Sequence, residues 1–270
     1  MKGAIIGDIV GSVYEWHNIK TKDFPLFSDK SFFTDDTVCT VAVASAFTNT
    51  DEDSLKGDYI SALYLPIRNG LICYGLAYPH RGYGGAFKHW LHESRMIYNA
   101  RPYVSWGNGA PMRCSSAGWV TDDPREAMGL GVLTALPTHN HPESTKAAGL
   151  VAELICMARN GLMKDELLEE AAHYYDIPKL DDIRDTYRFD VSCMGTMPVA
   201  LAAFFEGEDF EDAIRNAISV GGDSDTIACI TGSLAEAYWG VPADMWEKAA
   251  TYLDEALRRD VDRFYDKFTR

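Results

Sequence analysis

Residues 221–242 read "GGDSDTIACITGSLAEAYWGVP", and this stretch decides the fold. A glycine pair precedes it, and Gly240 and Pro242 close it. The span Asp225 to Tyr238 between them predicts a buried helix. The same signal recurs along the chain. Val38 to Phe47, "VCTVAVASAF", is Ala- and Val-rich, and Met197 to Phe205 is apolar on nearly all sides, so both predict buried helices. Asp53 to Arg68, Lys146 to Asn160, Lys164 to Tyr175 and Phe210 to Val220 carry apolar residues at helical spacing. Ala243 to Phe264 predicts one or two closing helices. The Val- and Ile-rich pieces are short and do not alternate with helices, which argues against a Rossmann-type sheet. No low-complexity linker or fixed-period repeat interrupts the chain, so the expectation is a single all-α domain over residues 1–270. Tyr78 to Pro124, rich in Gly, Trp, Tyr, Arg and Pro, reads as a long loop of the functional kind.

At 270 residues the chain can bury a substantial core. Its net charge of −15 argues against nucleic acid held by its phosphates and against an anionic membrane surface. The six cysteines form no CxxC pair, and they read as reduced core thiols of a cytoplasmic protein. The start has no signal-peptide character, because Asp8 interrupts its apolar run. No segment is long and apolar enough to predict a membrane span.

The buried helices at 38–47 and 225–238 open on "TDDT", residues 34–37, and "DSDT", residues 223–226. Helix capping accounts for part of this, since Thr34 can accept a first-turn N–H and acids suit a helix start. A cap needs one short oxygen, however, and each motif supplies two carboxylates with a hydroxyl. Buried carboxylates are costly unless paired or bound to a cation, and the nearest preceding cations are Lys30 and Arg215. Two such clusters meeting in space would suit Mg²⁺, while the lack of His or Cys in them argues against Zn²⁺. In "GDIVGSVYEWHN", residues 7–18, Asp8 and Glu15 share a face if the segment is a helix. Gly3, Gly7 and Gly11 recur every fourth residue there, so that helix can pack closely on another.

These motifs, with "SWGNGAPMR" at 105–113 and "THNHPE" at 138–143, resemble the ADP-ribosylglycohydrolase (ADP-ribosyl hydrolase) family in its own order over nearly the whole chain. The resemblance implies a compact orthogonal helical domain with two Mg²⁺ ions, or Mn²⁺, at the base of a cleft. It implies Thr34, Asp35, Asp36, Asp223, Asp225 and Thr226 as metal ligands, and Glu15, Asp36 and Asp225 as catalytic groups. Ser105, Trp106, Gly107 and Asn108 would hold a diphosphate and its ribose through backbone and side-chain donors, with His139 beside them and Glu15 also at the substrate. The implied reaction releases ADP-ribose from a protein arginine or serine, or from a small molecule. An ADP-ribose-binding protein of weak activity, a two-metal phosphoesterase and a scaffold of capped helices stand as alternatives. A monomer is the default expectation. Arg113 either contacts the ligand or buttresses the loop by ion pairing, the latter being favoured. His141, which with His139 forms an H-x-H pair that suggests a metal, is read for want of a nearby third ligand as a turn or helix-entry residue. Ser116 stands where relatives often have Pro, and Glu236 where many have Gly.

Overall fold

The computed structural model describes residues 1–51, 53, 59–96 and 100–269. Its first helix, α1 (Lys2–Gly11), is buried from Gly3 to Gly11 and lies against the long helix α11 (Ser224–Trp239). The glycine spacing explains how close they come. A Cβ at Gly3 would stand 2.0 Å from the Gly232 carbonyl oxygen, one at Gly7 would stand 2.0 Å from that of Ala228, and one at Gly11 would stand 2.4 Å from the Asp225 Cα. No side chain fits between these helices, and backbone packs on backbone.

Around this pair the described helices are α2 (Asp35–Asn49), α3 (Tyr59–Ala77), α4 (Gly85–Met96), α5 (Pro124–Ala135), α6 (Pro142–Arg159), α7 (Lys164–Ala172), α8 (Leu180–Ile183), α9 (Cys193–Glu206), α10 (Phe210–Ser219), α12 (Ala243–Ala250) and α13 (Glu255–Phe268). The central helix α11 packs on α1, α6, α9 and α10, while α2 carries α3 and α13 on its outer side. One apolar core runs through them, built from Ile5, Ile9, Val41, Phe47, Leu150, Phe204 and Ile230 among others. The expected all-α fold is therefore present. Among the described residues the only β-type pairing is an isolated antiparallel bridge between Gly107 and Ser192. No described helix is long and apolar enough to cross a membrane.

Three expectations need correction. The segment 78–124 is not one loop. It contains α4, whose Phe87, Trp90 and Leu91 are buried at helical spacing, and two 3₁₀ turns at Pro111–Arg113 and Ser115–Trp119. Gly84 and Gly85 at its start hid that period. The helix expected at Asp53 to Arg68 is observed as Tyr59–Ala77, and residues 52 and 54–58 of the "DEDSLKGD" stretch lie outside the described residues. The closing region, expected as one or two helices, is two, α12 and α13. All six thiols are free, but Cys73 is exposed on α3 while the other five are buried.

Glu236 is more than a marker. Its carboxylate accepts from the Met1 amino group at 2.5 Å and the Gly3 N–H at 2.7 Å, and from the Tyr265 hydroxyl, so it ties the start of α1 to α11 and α13.

Candidate active site

Close packing of α1 on α11 fixes where the carboxylates go. Asp8, fully buried in α1, accepts from the Thr34 N–H at 2.9 Å, the Thr34 hydroxyl at 2.6 Å, the Thr37 N–H at 3.0 Å and the Thr37 hydroxyl at 2.5 Å. These four donors are the first turn of α2. A buried carboxylate with that many donors is a structural anchor. Asp8 thereby binds α2 to α1, and α1 is bound to α11, so both acidic motifs meet. The Thr226 hydroxyl of α11 donates to Asp36 Oδ2 of α2 at 3.2 Å, across 190 residues of chain.

The meeting produces two overlapping trios. Asp8, Asp36 and Asp225 bring one carboxylate oxygen each within 4.8 Å of one another, and so do Glu15, Asp223 and Asp225. Asp225 belongs to both. Glu15 arrives by an unexpected route. The regular helix ends at Gly11, and Glu15 sits in the turn after it, held by its N–H to the Gly11 carbonyl at 3.2 Å. The same-face argument for Asp8 and Glu15 is therefore corrected, although both reach the cluster.

Capping accounts for one motif only. Thr34 accepts from the Asp36 N–H as expected, but it also donates to Asp8. At α11 the N-cap residue Asp223 makes no side-chain cap bond; its carboxylate accepts from Asn108 Nδ2 at 2.6 Å instead. Asp35 is in neither trio. Its carboxylate faces Gly82, where a Cβ would stand 3.0 Å from Oδ1.

The electrostatics follow from crowding. Burial first, then Asp223, pushes Glu15 up to about 7. Burial, then Asp8, pushes Asp35 up to about 8. Asp36 is held well above the usual carboxylate range by burial and by Asp8, and Asp225 by burial and Asp223. Burial likewise raises Asp8 and Asp223. Asp36 Oδ1 is buried with no hydrogen-bond partner among the described residues. An orphaned carboxylate oxygen among clustered carboxylates, with no His or Cys, is a donor set for a hard divalent cation.

Beside the carboxylates lies a cleft of about 500 Å³. Ser105, Gly107, Asn108 and His139 line it with Glu15 and the acids, whereas Trp106 does not and is half exposed at its edge. The loop is heavily self-bonded. Gly107 N–H donates to Ser105 Oγ at 3.1 Å, Asn108 N–H to the Val191 carbonyl at 2.8 Å, and Asn108 Nδ2 to Thr196 as well as Asp223. The backbone N–H groups of Gly107 and Asn108 thus both have partners within the protein. What faces the loop is His139, whose Nε2 lies 2.8 Å from where a Gly109 Cβ would be. Its Nδ1 contacts Thr138 Oγ1 at 2.7 Å, and burial, then the Arg113 charge, hold its pKa well below the usual value, so it is neutral.

Arg113 is a buttress, but without a carboxylate partner among the described residues. It is 1% exposed and donates to the Thr134 carbonyl and to Thr138 Oγ1. His141 caps α6 by accepting from the Glu143 N–H at 3.2 Å. Ser116 is buried with its hydroxyl unpartnered among the described residues.

Sequence reading missed Asp8 as a member of the cluster, although a lone acid in a glycine-spaced apolar helix was its signal. It also missed the cleft's second wall. Phe189 and Val191 line it, and Phe189 stacks on Trp16 with ring centroids 5.1 Å apart. Nothing in the pattern around residues 187–192 marks them.

The chain is similar to several known proteins. The chain is 29% identical over 162 residues, 58% of its length, to the ADP-ribosyl-[dinitrogen reductase] glycohydrolase of Rhodospirillum rubrum, and the match spans 55% of that protein. It is 26% identical to the ADP-ribosylarginine hydrolase Tri1 of Pseudomonas putida (strain GB-1), over 92% of this chain and 72% of that one. A solved structure described as an ADP-ribosylglycohydrolase-related protein complex shares the fold, with a TM-score of 0.69 at 23% identity, covering 98% of this chain and 94% of its own. The model of the family described as ADP-ribosylglycohydrolase matches residues 1–270, and the chain belongs to that family.

Proposed function

We propose that the protein hydrolyses the glycosidic bond between ADP-ribose and an acceptor, releasing ADP-ribose. The observation that carries this reading is the Asn108–Asp223 hydrogen bond, which places the loop and His139 against the carboxylate cluster in one cleft. The two trios, with Asp225 shared, would hold two divalent cations, Mg²⁺ or Mn²⁺. When bound, such ions supply positive charge that orients a ribose diol and lowers the pKa of a coordinated water.

The chain's own residues divide the remaining work. Glu15, at the cleft beside Asp223 and Asp225, acts as the general base. It takes a proton from the attacking water as the oxygen bonds to the anomeric carbon and the acceptor leaves with the bonding pair, a linked guanidinium as the neutral guanidine and a serine oxygen by taking up a proton from solvent. Arg113 donates to Thr138 Oγ1, the Thr138 hydroxyl serves His139 Nδ1, and Nε2–H is left to donate to a phosphate oxygen. Neutral His139 does so as a hydrogen-bond donor without adding charge.

The test is product analysis with arginine-linked and serine-linked ADP-ribosyl peptides, each with Mg²⁺ and with EDTA. Free ADP-ribose formed only with metal supports the reading, and the faster peptide identifies the linkage. Release of a phosphate product instead would show a two-metal phosphoesterase.

A further inference from the structure

The turn that carries Glu15 has no regular helix to hold it, yet Glu15 must face Asp223 and Asp225. Beside the Glu15 N–H bond to the Gly11 carbonyl, one side chain ties this turn to the start of α11. Asn18 Nδ2 lies 2.7 Å from the Tyr14 carbonyl, 3.0 Å from the Glu15 carbonyl and 2.9 Å from the Gly222 carbonyl, and Asn18 Oδ1 accepts from the Gly222 N–H at 2.8 Å. A single amide thus joins Glu15's own backbone to the residue preceding Asp223, 204 positions away.

The partner is shaped for it. Gly221 and Gly222 have φ of +68° and +79°, the left-handed region that L side chains rarely adopt. This turns the Gly222 N–H and carbonyl toward Asn18 together. A Cβ at Gly221 would stand 3.1 Å from the Asn18 Cβ, so the glycine also admits the side chain. Lys20 holds the same turn from its other end, donating to the Val220 carbonyl at 2.6 Å and to that of Tyr187 at 3.1 Å, but makes no bond to Tyr14 or Glu15. Asn18 does not line the cleft.

We propose that Asn18 is a positioning residue, which sets the distance and orientation of Glu15 relative to Asp223 and Asp225. The proposal rests on Glu15 acting in hydrolysis. Its bonds need a donor and an acceptor in one planar group, which is why an amide stands there. Aspartate would keep the acceptor and turn a carboxylate toward carbonyl oxygens. A misplaced base costs rate without costing binding, and displacement by about 1 Å is worth on the order of 100-fold.

The experiment is a double-mutant cycle on the full chain with Mg²⁺, reading kcat, KM, ADP-ribose affinity by calorimetry and Tm. Asn18→Ala is expected to lower kcat about 10- to 100-fold while KM and ADP-ribose affinity stay within about threefold. Asn18→Asp is expected to be at least as slow. Lys20→Met is expected to lower Tm while kcat stays unchanged, which separates loosening of the turn from displacement of Glu15. In a Glu15→Gln background, Asn18→Ala is expected to cost nothing further, because its effect passes through Glu15. If Asn18→Ala keeps the wild-type kcat, or slows Glu15→Gln by its full single-mutant factor, the proposal is overturned while hydrolysis through Glu15 stands. If Glu15→Gln alone keeps the wild-type rate, the catalytic role of Glu15 falls, and the proposal with it.

Discussion

The Thr226 hydroxyl donates to Asp36 Oδ2 across 3.2 Å, and with it the first turn of α11 touches the first turn of α2. Asp225, the residue before Thr226, is the one carboxylate common to both trios. Its loss is therefore expected to differ from any other. Asp225→Asn should abolish binding of both ions, whereas Asp36→Asn and Glu15→Gln should each leave one. Mn²⁺ counted by equilibrium dialysis against each variant checks this.

Stability is expected to depend on pH in a direction set by the raised carboxyls. Glu15 and Asp35 rise from 4.5 and 3.8 in the unfolded chain to about 7 and about 8 in the folded one. Both are protonated in either state at low pH. As pH rises the unfolded chain ionises first, so their contribution is full below about pH 4 and is lost as pH passes through 7 to 8. In EDTA, Tm should fall over that window. Saturating Mg²⁺ should restore it, more at pH 8 than at pH 5, because cation binding displaces the retained protons. Glu153, raised to about 7 mainly by burial, adds a fall of the same sign that Mg²⁺ will not reverse, and Glu153→Gln removes it.

His139→Ala should weaken ADP-ribose binding on the order of tenfold, the worth of one hydrogen bond to a charged oxygen. Because burial and Arg113 keep the ring neutral, the histidine contribution should be flat between pH 6 and 8. Calorimetric titrations of wild type and variant at several pH values check both points.

Val104, the residue before Ser105, has φ of +52°, a strained conformation for a β-branched residue. Its N–H donates to Asn140 Oδ1 at 2.9 Å, and its side chain is exposed. Val104→Gly should relieve about 1 kcal/mol of strain and raise Tm. If the strain aims Ser105 into the cleft, the same variant should bind ADP-ribose less tightly.

Gly7→Ala would place a methyl group 2.0 Å from the Ala228 carbonyl oxygen, where backbone has to move. The expected loss is about 3 kcal/mol, the upper end for overpacking, and it should lower metal affinity too because α1 carries Asp8. Denaturant unfolding with and without Mg²⁺ measures both.

The sequence showed the helical fold, the glycine seam of α1 and the two acidic motifs because each is a local pattern: a period, a four-residue spacing, a paired acid at a helix mouth. Asp8 was visible as a misfit in an apolar helix, but its donors lie in α2 and only the fold reveals them. Glu15 was read onto a helix face that ends four residues too early. The helix α4 escaped because Gly84 and Gly85 resemble a loop. Asn18, Phe189 and Val191 left no local trace, since the partners that give them meaning are far away in the chain.

The most direct test of the two-ion cage is the Mn²⁺ stoichiometry of the wild-type chain, measured by equilibrium dialysis with electron paramagnetic resonance at neutral pH. Two ions per chain, magnetically coupled and both lost in Asp225→Asn, is the expected result. No bound ion, or binding that survives Asp225→Asn unchanged, would contradict it.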